Sequence, residues 1–200
     1  MPRLCADYRL DRAAVRRLLA GAIARALEGA AARRCPSHLW AALGPLCRGG
    51  ELERHVSTAI GSVLVDLVGL FVECRRLGVG VMAACYREDG VYLVRPTLTW
   101  RHNSTVKERI LREMASMRGE YRGRLVLVLG HWEGGEPPDY GLVKVLPPWR
   151  AWRWLSCGAY TYKDFLEDLR AASCDAARRA DFWMGGRLAS VVCRGGSEAG

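Results

Sequence analysis

The residues best suited to chemistry in this 200-residue chain crowd into one stretch, "PPWRAWRWLSC" at 147–157, where Trp149, Trp152 and Trp154 alternate with Arg150 and Arg153. Indole faces stack on bases and guanidinium groups pair with phosphates, so the combination points to nucleic acid or another polyanion. Read as a helix, with Pro148 in the first turn and Gly158 past the end, the stretch puts Trp149 and Trp152 on one side and Trp154 on another. Read as a strand, it gives Trp152 and Trp154 one face together with Arg150. Neither geometry lines up three rings as a platform. The expectation is one or two exposed tryptophans among arginines, the other rings serving the core beneath an arginine lid.

A second cluster lies in the loop "GHWEGGEPPDYG", where His131, Glu133, Glu136 and Asp139 are the densest set of imidazole and carboxylate groups in the chain. These are the weak candidates for a metal, and a polar hairpin loop is the more ordinary role for such a set. His38, His55 and His102 are scattered over other segments. A P-loop, a Rossmann glycine fingerprint, H-E-x-x-H and a nucleophile elbow are all missing. The eight cysteines contain no C-x-x-C pair and no Cys-His run at zinc spacing. Disulfides and free buried thiols both suit them, and the pairing is open. No cofactor and no catalytic residue is expected.

Charge directs attention to the two ends of the chain. The net charge is +9. Residues 1–50 carry nine Arg against Asp7, Asp11 and Glu28, a net of +6, and residues 144–194 carry a net of +4, while the middle is balanced. Arg17, Arg25, Arg178 and Arg179 therefore join the 149–154 cluster as tentative nucleic-acid-binding residues. Asn103 is the single asparagine and glutamine is missing altogether. Loss of thermolabile amides is a hyperthermophile trait, so the expectation is a protein of a thermophile, archaeal or from an archaeal virus. The first residues contain no apolar run of the signal-peptide kind. The apolar run 59–74 is broken by Asp66 and Glu73 and is too short for a bilayer. A cytoplasmic location is expected, with no membrane partner.

The elements that must position these residues follow from periodicity. Asp11 opens a helix to about Arg34, with Val15, Leu18, Leu19, Ala22, Ile23, Ala26 and Leu27 at helical spacing. Arg12, Arg16 and Arg33 fall at the margin of that stripe, and Cys35-Pro36 stops the helix. "SHLWAALGPLC" reads as a short second helix. A long helix is expected from Gly50 to about Leu77, with Ser62, Asp66, Gly69 and Glu73 as its solvent stripe. "VGVMAACYR" and "VYLVRPTLTW" flank "EDG" as a hairpin of strands at 79–87 and 91–100. Thr105 and Glu108 form a capping box for a helix with Val106, Ile110, Met114 and Met117 on one face. "RLVLVLG" and "GLVKVLP" are further strands, and Thr161 with Asp164 caps a last helix, bent near Ser173. The pattern is α+β: a helical N-terminal region at 1–48, then a small mixed or antiparallel sheet flanked by helices within 50–194, as one domain with a frayed tail at 195–200.

The order of long helix with an early glutamate, hairpin, helix and apolar strand over about 51–130 resembles the PD-(D/E)xK restriction-endonuclease-like nucleases. That resemblance implies a nuclease-like fold, with Glu51 or Glu53 at the family's helical glutamate position. The family holds Mg²⁺ with an Asp on one hairpin strand and an E-x-K on the next. Here the E-x-K position reads Leu93-Val94-Arg95, and no Asp precedes Glu88-Asp89.

Three readings follow. The first is a non-enzymatic protein binding nucleic acid or another polyanion. The second is a protein-interaction or assembly subunit that meets a partner chain through a Trp-rich surface. The third is a metal-dependent or degenerate nuclease.

Overall fold

In the computed structural model, which describes residues 11–32, 58–77, 82–100, 104–133, 135–137, 140–184, 190 and 193, the elements run α1 (Arg12–Ala32), α2 (Leu64–Gly69), β1 (Cys74–Arg76), β2 (Ala83–Arg87), β3 (Gly90–Trp100), α3 (Ser104–Ser116), β4 (Gly123–Trp132), β5 (Val143–Leu146), α4 (Pro148–Ser156) and α5 (Tyr162–Met184). The fold is α+β with a mixed five-stranded sheet. Two compact units form: among the described residues, 11 and 64–164 make the first, and 12–32, 58–63 and 165–193 the second.

The first unit carries the sheet, in the order β1-β2-β3-β4-β5. β1, β2 and β3 are an antiparallel meander, with the two-residue Glu88-Asp89 turn closing on the Arg87–Gly90 pair. Gly90 sits at φ 141°, a conformation that a side chain resists. β4 is parallel to β3, and β5 is parallel to β4. A parallel step needs a crossover, which α3 supplies between β3 and β4. One face of the sheet presents Leu93, Val126, Val128, Val143 and Val145 to Ile110 and Met114 of α3. Side chains alternate along a strand, so Leu125 and Leu127, also buried, serve the opposite face.

Several expected boundaries move. The helix read from Gly50 to Leu77 has helical residues at 58–62 and then α2, and it closes at Gly69. There Leu70 N–H is shared between the Asp66 and Leu67 carbonyls, and Phe71 N–H reaches Val68, a tightened last turn. Residues 74–76 are instead an edge strand. Ser62, Asp66, Gly69 and Glu73 are nevertheless all exposed, as their spacing requires. α3 begins at Ser104, so Thr105 lies inside the first turn rather than capping it. Val106 is exposed, while Glu113 takes its short contact, 2.6 Å, from Arg95 rather than from Arg109 at 4.0 Å. The short helix read after Ser37, with His38, lies outside the described residues, as do Glu51, Glu53, His55, His102 and the tail.

Cys74 and Cys85 are bonded across β1 and β2. The ladder's hydrogen bonds fall at Tyr86 N–H to Glu73 O and Leu77 N–H to Met82 O, which makes Cys74–Cys85 a non-hydrogen-bonded pair with Cα atoms 4.1 Å apart. That is the close class of antiparallel neighbours, where side chains meet most directly. Farther along the sheet, the β3–β4 register shifts between Thr97 and Thr99. At this irregularity Gly130 comes so near its neighbour that a Cβ would lie 2.6 Å from the Leu98 carbonyl oxygen.

The second unit contains α1 and most of α5. Val15, Leu19, Ala22, Ile23, Ala26 and Leu27 are all buried, the stripe expected from their spacing. Arg12 and Arg16, at the stripe's margin, reach Asp168 of α5, which is 0 % exposed. Asp168 Oδ1 accepts Arg12 Nη2–H at 2.9 Å and Arg16 Nε–H at 2.7 Å, and Arg12 Nε–H lies 3.1 Å from Oδ2. The cap of α5 is the expected one: Thr161 N–H and Oγ1–H both donate to Asp164 Oδ2, and Asp164 N–H returns to Thr161 Oγ1. α5 runs unbroken through Ser173, whose hydroxyl donates to the Leu169 carbonyl one turn back. A second disulfide joins Cys174 to Cys193, and Cys157 is also disulfide-bonded, so no described cysteine is free.

Candidate nucleic-acid interface

The Trp/Arg stretch folds as the helix α4, and its ends explain why. Pro147 is extended (φ −66°, ψ 165°) and Pro148 takes the first helical position, where the missing N–H costs nothing. The first helical bonds run from Arg150 and Ala151 N–H to the Pro147 carbonyl. Cys157 is left-handed at φ 55° and Gly158 at φ 88°, and Gly158 N–H closes on the Arg153 carbonyl.

Successive residues turn by 100°, so the nine residues of α4 divide sharply. Pro148, Ala151, Trp152, Leu155 and Ser156 are buried. Trp152 is 0 % exposed, with its Nε1–H donated to the Leu129 carbonyl at 2.9 Å and its ring centroid 5.4 Å from Phe71 and 5.2 Å from Tyr160. It is a core residue and, contrary to the expectation from sequence, not a binding residue: Trp149 and Trp152 are only about 60° apart on the helix, and the boundary between core and solvent passes between them. Ser156, beneath it, accepts the Tyr160 N–H at 2.9 Å.

The remaining arc holds Trp149, Arg153, Arg150 and Trp154 in that angular order. Trp149 is 52 % exposed and meets Trp132 edge-on, with centroids 6.3 Å apart and planes at 79°. Trp132 is itself tied by its Nε1–H to the Gly135 carbonyl at 3.1 Å. Arg150 and Arg153 are exposed, and neither is ion-paired to a described residue. Trp154 is half-buried. The expected arginine lid exists, but it comes from β2: the Arg87 guanidinium lies 4.4 Å over the Trp154 ring, with Tyr92 edge-on at 5.3 Å. Arg87 Nη1–H also reaches Cys157 Sγ at 3.0 Å. Burial first, and then the hydrogen bond from its hydroxyl to Asp89 at 2.6 Å, push the Tyr92 phenol above its ordinary value. Arg87, Tyr92 and Trp132 come from strands distant in sequence, and no local pattern marks them as neighbours of α4.

Arg17 and Arg25 on α1, and Arg178 and Arg179 on α5, are exposed residues of the second unit, with Arg178 3.8 Å from Asp175. His131 and Glu133 pair at 3.1 Å, Glu136 is exposed, and Asp139 lies outside the described residues. Among the described residues no group of three or more His, Cys, Asp or Glu side chains is placed to hold a metal. At the E-x-K position, Leu93 is in the core and Arg95 is bound to Glu113. No protein-family profile matches the chain, and no curated protein matches it by sequence.

Proposed function

We propose that the protein binds nucleic acid or a comparable polyanion through the exposed arc of α4. The observation that carries this reading is the pair Arg150 and Arg153, exposed without a described carboxylate partner beside the open ring of Trp149. A guanidinium held without an internal counter-ion keeps its full charge for an external anion. Affinity should fall with salt, and two phosphate contacts on a single strand give a slope of about −1.4 in log K against log salt. The measurement is anisotropy of a labelled oligonucleotide over a salt series, with wild type compared to Arg150→Ala/Arg153→Ala. A slope that survives the double substitution unchanged overturns the reading.

An assembly subunit would want its exposed apolar residues gathered around Trp149. The most exposed of them among the described residues, Leu142 at 71 %, precedes Val143, which pairs with Arg124. Leu142 is thus beside the start of β4, about 30 Å along the strand from Trp132. A hydrolytic nuclease needs carboxylates to anchor its ion, and the described residues assemble none.

A further inference from the structure

Resting on that reading, we propose that the α4 arc takes a single-stranded stretch of nucleic acid, with one unpaired base stacked on Trp149 and the adjacent phosphates on Arg150 and Arg153. Three observations lead there. Trp149 and Trp132 meet edge to face, so whichever ring supplies the edge, Trp132 covers at most one face of Trp149, and that residue is half-exposed. That ring is also braced, since Trp132 is anchored to the Gly135 carbonyl, and a held ring loses little freedom on stacking. Trp154, at the other margin of the arc, is already covered by Arg87 and Tyr92, so the site offers one stacking surface rather than two. Arg153 follows Trp149 by four residues, one turn along the same side, and Arg150 is its chain neighbour. A paired base inside a duplex has both faces occupied by its neighbours, whereas an unpaired base can present one to an aromatic ring. The arginines alone would accept either form of nucleic acid, or polyphosphate. The ring discriminates among them.

The test is a set of anisotropy titrations with a short labelled oligothymidylate, the same strand in a duplex, and inorganic polyphosphate as competitor. Wild type should prefer the single strand. Trp149→Ala should weaken single-strand binding about 5- to 150-fold, the range for one stacked base, with the salt slope unchanged. Trp149→Phe, which keeps an aromatic face, should recover most of the loss. Arg150→Ala/Arg153→Ala should instead flatten the slope. Circular dichroism of each variant should match wild type, because Trp149 is outside the core. Equal affinity for single strand and duplex, or a Trp149→Ala variant that binds the single strand as wild type does, overturns the single-strand assignment while leaving polyanion binding intact. Failure to bind any of the three anions overturns both.

Discussion

Replacing Arg12 and Arg16 together should destabilise the protein more than replacing the aspartate they share. Asp168 is 0 % exposed, while the two arginine side chains are 36 % and 45 % exposed. Asp168→Ala leaves guanidinium groups that water can reach, so the loss is that of hydrogen bonds to a charged acceptor, about 1.5–3 kcal/mol, with the exposed Arg12–Glu167 contact contributing little. Arg12→Ala/Arg16→Ala takes these two cations from a carboxylate that stays in the interior, and breaking a buried pair from that side costs about 3–5 kcal/mol. For a chain of this length each kcal/mol moves Tm by about 2–4 °C. The assay is thermal and urea unfolding followed by far-ultraviolet circular dichroism, with the disulfides kept oxidised. If Asp168→Ala proves as costly as the double arginine variant, the buried charge is not what holds the α1–α5 contact and the reasoning fails.

Three other outcomes follow from the geometry. Gly130→Ala should cost about 1–3 kcal/mol, since its methyl group would meet the Leu98 carbonyl oxygen at 2.6 Å; unfolding by urea at unchanged m-value checks this. Cys74→Ser/Cys85→Ser should cost about 3 kcal/mol, because the bond closes a short loop of separation 11 in the unfolded chain, and the difference should vanish when both proteins are compared under reducing conditions. The Tyr92 phenol is raised by burial and by Asp89, so the neutral form is favoured by folding. Its contribution is complete below the ordinary value of about 10 and disappears as pH rises through the higher folded value. Ultraviolet titration should therefore show a late-ionising tyrosine in the wild type that is missing from Tyr92→Phe.

Much of the architecture was legible because it rests on local periodicity. The apolar stripe of α1, the Glu88-Asp89 hairpin, the uninterrupted Leu/Val run of β4 and the Thr161–Asp164 cap each depend on residues within a few positions of one another. β1 was not legible, since "ECRR" continues a helical pattern. Its strand state comes from the ladder and the disulfide to β2.

The site shows the same division. Sequence alone determined that 147–157 would concentrate indole and guanidinium groups, and that as a helix it would run from a proline start to a glycine stop. Which ring would be core and which would face solvent depended on Leu129, Phe71 and Tyr160, and the lid over Trp154 depended on Arg87. A helix's own repeat sets the angle between two side chains, but only the surface it lands on sets where burial ends. For Trp149 and Trp152 that boundary fell between neighbours about 60° apart, a distinction drawn by tertiary packing alone.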